Sequence, residues 1–133
     1  MYKRQLQALA LDIKLDHLDE WNLRRQEVHA RYVEGLDGFE LLATLDGGSP
    51  VHHLEVVRVD DRDAVRETLG QQGIQTGIHY ALPCHKHPAF AEFDRRPLPV
   101  AEAAAGRQFS LPMHPTLTDA EVQRVIDAML AMP

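Results

Sequence analysis

Val51-His52-His53-Leu54-Glu55-Val56-Val57-Arg58-Val59 decides the fold. Its β-branched residues predict a strand, and Leu54, Val56, Val57 and Val59 are too dense for one dry and one wet face. A central strand covered on both sides is expected. Ahead of it, the short apolar run Phe39 to Leu45 leads into Asp46-Gly47-Gly48-Ser49-Pro50, whose Asp-Gly and Gly-Gly steps tolerate positive φ and close a hairpin-like turn. Behind it, Asp60 or Asp61 can cap a helix from Arg62 to Gln71, with Val65 and Leu69 turned inward and Gly73 at its end. Ile74 to Tyr80 then reads as a third strand ended by Pro83, and Pro88 begins a short helical turn through Phe93.

Further out, the pattern is helical at both ends of the chain. Leu6, Leu9, Ile13, Leu18, Trp21, Val28, Tyr32 and Leu36 recur mostly three to five apart, which predicts one long amphipathic helix or two nearly collinear ones, stopped by Gly35 and Gly38. Acidic residues early (Asp12, Asp16, Asp19, Glu20) and arginines late (Arg24, Arg25, Arg31) suit the helix dipole. Towards the C-terminus, Pro99 starts a helix through Ala105 that Gly106 ends, and Gln108 to Leu111 is at most a short edge strand. Thr118 and Glu121 form a capping box ahead of the apolar stripe Val122, Val125, Ile126 and Leu130. The sum is an α+β fold: a long N-terminal helix (1–36) followed by a small α+β domain (37–133) whose sheet is covered by helices.

Composition narrows the function. A chain of 133 residues supports one core, and 44% hydrophobic with 26% charged residues matches an ordinary packed globule. Fourteen Lys+Arg against twenty Asp+Glu leave a net charge of −6, the wrong sign for nucleic acid or an anionic membrane surface. No apolar stretch approaches the roughly 18 residues that span a bilayer, the start is too short and polar for a signal peptide, and a cytoplasmic location is expected. Cys84, the single cysteine, has no disulfide partner within the chain. The helical pattern is already running by Leu6 with no cap ahead of it, so the sequence reads as cut from something longer.

Titratable side chains gather in Gly77-Ile78-His79-Tyr80-Ala81-Leu82-Pro83-Cys84-His85-Lys86-His87-Pro88, at the end of a predicted strand, where sites are usually built. His79, Cys84, His85 and His87 are possible zinc donors, but their spacing lacks a His-x-x-x-His or Cys-x-x-Cys pair, and surface histidines in a proline-rich loop explain them as well. Cys84 beside His85 could be a nucleophile or a small packed residue. His52 and His53, adjacent on a strand, face opposite sides and cannot share one ion. Capping accounts for Asp60, Asp61 and Asp63. The sequence carries no phosphate loop and no Ser-His-Asp order. No metal site is expected.

Five segments, in order and at their separations, resemble one family: Leu6-Gln7-Ala8, Lys14 through Arg25, Val56-Val57-Arg58-Val59, Gly77-Ile78-His79-Tyr80, and Ser110-Leu111-Pro112-Met113-His114-Pro115-Thr116-Leu117-Thr118. They are similar to the C-terminal region of the DegT/DnrJ/StrS pyridoxal-phosphate-dependent nucleotide-sugar aminotransferases, from Leu6 onward. The resemblance implies the small domain of a fold-type-I aminotransferase acting in polysaccharide biosynthesis. Its parent would be a homodimer that moves an amino group from an amino-acid donor to a nucleotide-linked ketosugar. The Schiff-base lysine would lie in a large domain outside this chain, since Lys3, Lys14 and Lys86 do not match its motif. Pyridoxal phosphate is then expected in the parent and none on this chain alone, which carries no catalytic residue. By position, His79 and Tyr80 match the family's Ile-His-Tyr segment near the sugar-nucleotide pocket, and His85 matches the histidine of its Pro-x-His-x-x-Pro segment. These three are the implied substrate-binding residues, with His114 in a structural turn. Met1 to Gln5 do not reproduce the family's stretch for cofactor phosphate, so cofactor-binding residues stay unassigned. The competing readings are a free-standing α+β interaction module and a small zinc-dependent protein.

Overall fold

The structure, a computed structural model, describes residues 4–93 and 96–132. The N-terminal apolar pattern resolves into two helices, α1 (Gln5–Leu15) and α2 (Leu18–Gly35), broken at Asp16 and His17. They differ in what they bury. α1 buries nothing, whereas α2 sends Val28 and Tyr32 into the core, with Leu36 just past its end.

The sheet is antiparallel with strand order β1 (Glu40–Leu41), β2 (Glu55–Arg58), β3 (Gln108–Leu111). β2 is central, as its residue density predicts, but it is shorter than the Val51–Val59 run. Residues 51–54 stay outside the ladder, and the turn at Asp46-Gly47, with Gly47 at φ +77°, sits within a long connection from β1. One expectation is corrected. Ile74 to Tyr80 is not a strand: only Gly77 pairs, in a single antiparallel bridge to Ser110. Gln108–Leu111 is the short edge strand expected, pairing residue for residue with β2, and Phe109, Ser110 and Leu111 are all buried. Burial explains why β3 keeps its ladder and 74–80 does not, because a strand covered on both faces stays paired, whereas the chain after Gly77 runs out to the surface.

The remaining helices are α3 (Arg62–Gln71), capped by Asp61 accepting from the Ala64 N–H, α4 (Pro99–Arg107), and α5 (Asp119–Leu130). Short 3₁₀ segments occupy Cys84–Lys86 and Pro88–Phe93. The Thr118/Glu121 capping box forms as read. Along α5, Val122, Val125, Ile126 and Met129 are buried, while Leu130 is turned out. Gly35 lets α2 approach α5, since a Cβ there would lie 2.7 Å from Ile126 Cδ1. Arg24 locks the pair from the side, donating to the Leu117 carbonyl at 2.7 Å and to Asp119 at 2.8 Å. One cluster of Val28, Tyr32, Leu36, Val57, Leu69, Phe109, Val122 and Met129 thus joins both helices to the sheet.

Candidate substrate loop

β3 positions the loop that follows Gly77. The bridge consists of Gly77 N–H to Ser110 O at 3.0 Å and Ser110 N–H to Gly77 O at 2.7 Å. The same serine meets His79, whose Nδ1 lies 3.0 Å from Ser110 Oγ, and Gln108 Nε2 donates to the His79 carbonyl at 3.3 Å. The His79–Tyr80 peptide is cis. Tyr80 is set edge-on to His79 with centroids 5.9 Å apart, and its ring is 77% exposed. A half-buried imidazole fixed by a buried serine therefore carries an open phenol beside it. Such a pair can hydrogen-bond hydroxyl or phosphate oxygens and cover an apolar ring face.

His85 is held elsewhere. Its Nε2 lies 2.9 Å from Glu102 Oε1, which also accepts from the Leu98 N–H at 2.9 Å at the start of α4, and Lys86 Nζ lies 3.8 Å from the same oxygen. The His85 hydrogen bond, then the Leu98 amide, holds the Glu102 carboxyl below the usual range. His79 and Tyr80 are thus brought into contact, whereas His85 is oriented by α4.

The histidines of this loop turn to separate partners. His79 is met by Ser110, His85 by Glu102, and His87 accepts from the Ala89 N–H at 3.3 Å, so each has its own partner. Among the described residues a different group brings three ligand atoms within 4.8 Å of one another: His29, His52 and Glu55. Sequence reading missed it because His29 lies on a helix and Glu55 on a strand, and because His52 and His53 lie outside the ladder. His52 packs and His53 is exposed.

The fold is shared with a segment of known aminotransferases. The chain belongs to the DegT/DnrJ/EryC1/StrS aminotransferase family, which it matches over residues 4–130. It is 40% identical over 127 residues to the dTDP-3-amino-3,6-dideoxy-alpha-D-galactopyranose transaminase of Aneurinibacillus thermoaerophilus, covering 94% of this chain and 35% of that protein. It is 42% identical over 131 residues to the dTDP-3-amino-3,4,6-trideoxy-alpha-D-glucose transaminase of Streptomyces venezuelae, covering 94% and 34%. Among solved structures, S. venezuelae DesV in complex with a ketimine intermediate superposes with a TM-score of 0.85 at 43% identity, over 92% of this chain and 34% of that one. The chain therefore spans about a third of the length of the relatives it matches.

Proposed function

We propose that this chain is the C-terminal, small-domain third of a pyridoxal-phosphate-dependent aminotransferase that aminates a nucleotide-linked ketosugar, with an amino acid as donor and a homodimer as the working form in the cytoplasm. The names of the two relatives above favour a dTDP-linked sugar aminated at C3. The observation that carries the reading is the Ser110-anchored His79 with Tyr80 exposed at its side. In this reading His79 and Tyr80 bind sugar or diphosphate oxygens, and His85 orients the loop through Glu102.

The residues present do not fit the cofactor by themselves. Lys14 lies on α1 and Lys86 is in the Glu102 ion pair, and among the described residues no lysine lines the cavities of about 390, 390, 470 and 610 Å³. The amine that transamination requires belongs, in this proposal, to a large domain that α1 and α2 lead back to. The bare apolar surface of α1 supports that connection: Leu6, Leu9 and Ile13 are 82%, 58% and 59% exposed.

A chimera tests the proposal. The corresponding third of the S. venezuelae transaminase is replaced by this chain, and amination of the dTDP-ketosugar is followed by release of the 2-oxo acid. The chimera is expected to turn over and the isolated chain to be inert. His79→Ala and Tyr80→Phe are expected to raise KM for the sugar nucleotide about tenfold or more with a smaller change in kcat, the loss of one or two hydrogen bonds. Turnover by the isolated chain, or a KM untouched by both substitutions in an active chimera, overturns it.

A further inference from the structure

Glu55 occupies an inward position of the central strand. β2 alternates buried and half-buried residues, and Glu55 shares the buried side with Val57 at 2% exposure. A carboxylate in such a place needs a partner of opposite character. Among the described residues its hydrogen-bond partner is His29, reaching from α2 with Nδ1 2.8 Å from Glu55 Oε2. The imidazole of His52 lies flat on that of His29, centroids 3.7 Å apart and planes 14° from parallel. His52 is also the described non-glycine residue held at positive φ, +48°, a conformation that costs energy and recurs at ligand sites.

Two nitrogens and one carboxylate oxygen are a borderline donor set. It suits zinc(II), whereas magnesium and calcium take oxygen-rich shells. Zinc bonds of about 2.0–2.2 Å put tetrahedral ligands roughly 3.3–3.6 Å apart. His29 and Glu55 are slightly inside that spacing, and the whole set lies within 4.8 Å, so the closing movement is about an ångström. It falls on His52, whose carrier, residues 51–54, lies outside the sheet. In-plane lone pairs of two nearly parallel rings do not converge, so binding requires the His52 ring to turn out of the stack, and the ion takes the place of the proton His29 shares with Glu55. Water can complete the shell. His29 lines a cavity of about 390 Å³, and His52 lines another of about 610 Å³, with Leu42, Ala43 and Thr44 common to both.

We propose that His29, His52 and Glu55 form a zinc(II) site with water as fourth ligand, which pins the connection between β1 and β2 to the sheet and to α2. The proposal is independent of the aminotransferase reading, since none of the three residues belongs to the 77–87 loop. The full chain, stripped with chelator and dialysed, is titrated with zinc chloride against a chromophoric chelator of micromolar affinity. Cobalt(II) serves as the spectroscopic probe. One equivalent of zinc is expected to bind in competition, cobalt to give visible bands of a four-coordinate site, and zinc to raise the melting temperature. His52→Ala, a change outside the regular elements, is expected to weaken binding at least tenfold and abolish the melting shift while leaving the metal-free circular dichroism unchanged. Glu55→Gln is expected to act likewise if it folds. His53→Ala and His85→Ala are expected to bind as the unchanged chain does. Absence of competitive binding overturns the proposal, as does full affinity in His52→Ala or loss of the equivalent in His85→Ala.

Discussion

A methyl group on Gly77 would lie 2.5 Å from His79 Cε1, closer than side chains pack. The glycine is therefore required by the imidazole it faces. Gly77→Ala is expected to push the ring off Ser110 and to cost about 1–3 kcal/mol in urea unfolding, the usual range for overpacking. The double variant Gly77→Ala/His79→Ala is expected to recover most of the added cost, because the atom that clashes is gone. Equal destabilisation in both backgrounds would place the cause in the Gly77 backbone instead. At this scale the sequence names His79, Tyr80 and His85 through their motif, but not what holds them. Ser110 and Glu102 are 31 and 17 residues away, and no local pattern pairs residues across such distances. The same limit hid His29 and Glu55, which are 26 apart.

Elements were legible where a local signal fixes them. The capping box and apolar stripe delimit α5, and Asp61 starts α3, because both signals lie within one or two turns. Strands were less so, since a short apolar run does not name its neighbour: Gln108–Leu111 gained a full ladder and Ile74–Tyr80 kept one bridge. The joint between α2 and α5 depends on Asp119, the first residue of α5, whose Oδ1 accepts from Arg24 at 2.8 Å and from Arg31 at 2.5 Å. The hydrogen bond from Arg24, then that from Arg31, holds the Asp119 carboxyl below the usual range. A carboxyl whose folded pKa is depressed contributes stability above its unfolded value, about pH 4, and loses it as pH falls through the folded value. Asp119→Asn is expected to lower the melting temperature at pH 7 by a few degrees at most, given its exposure, and to have little effect near pH 2. Melting curves between those limits check it, and an equal deficit at both would mean that the lost interaction is not ionic.

On the scale of the whole molecule, two features act against each other. The leucines of α1 are uncovered, Leu6, Leu9, Leu11 and Leu15 being 82%, 58%, 62% and 64% exposed, and large exposed apolar side chains of this kind favour association. A net charge of −6 at pH 7 keeps copies apart, but eight histidines make that charge soft. Protonating half of them brings it to about −2, the low end of the range that keeps small domains apart, so repulsion between copies weakens. Lowering the pH from 7.5 to 6 at constant ionic strength is thus expected to increase light scattering and shift sedimentation towards dimers and larger species. Leu9→Glu/Ile13→Glu, which adds charge where α1 buries nothing, is expected to remove the association at both pH values without changing the melting temperature by more than about 2 °C. A scattering trace flat with pH would show that the histidines do not control solubility. Association that persists in the double variant would move the sticky surface off α1, and with it the support α1 lends to the proposed large domain.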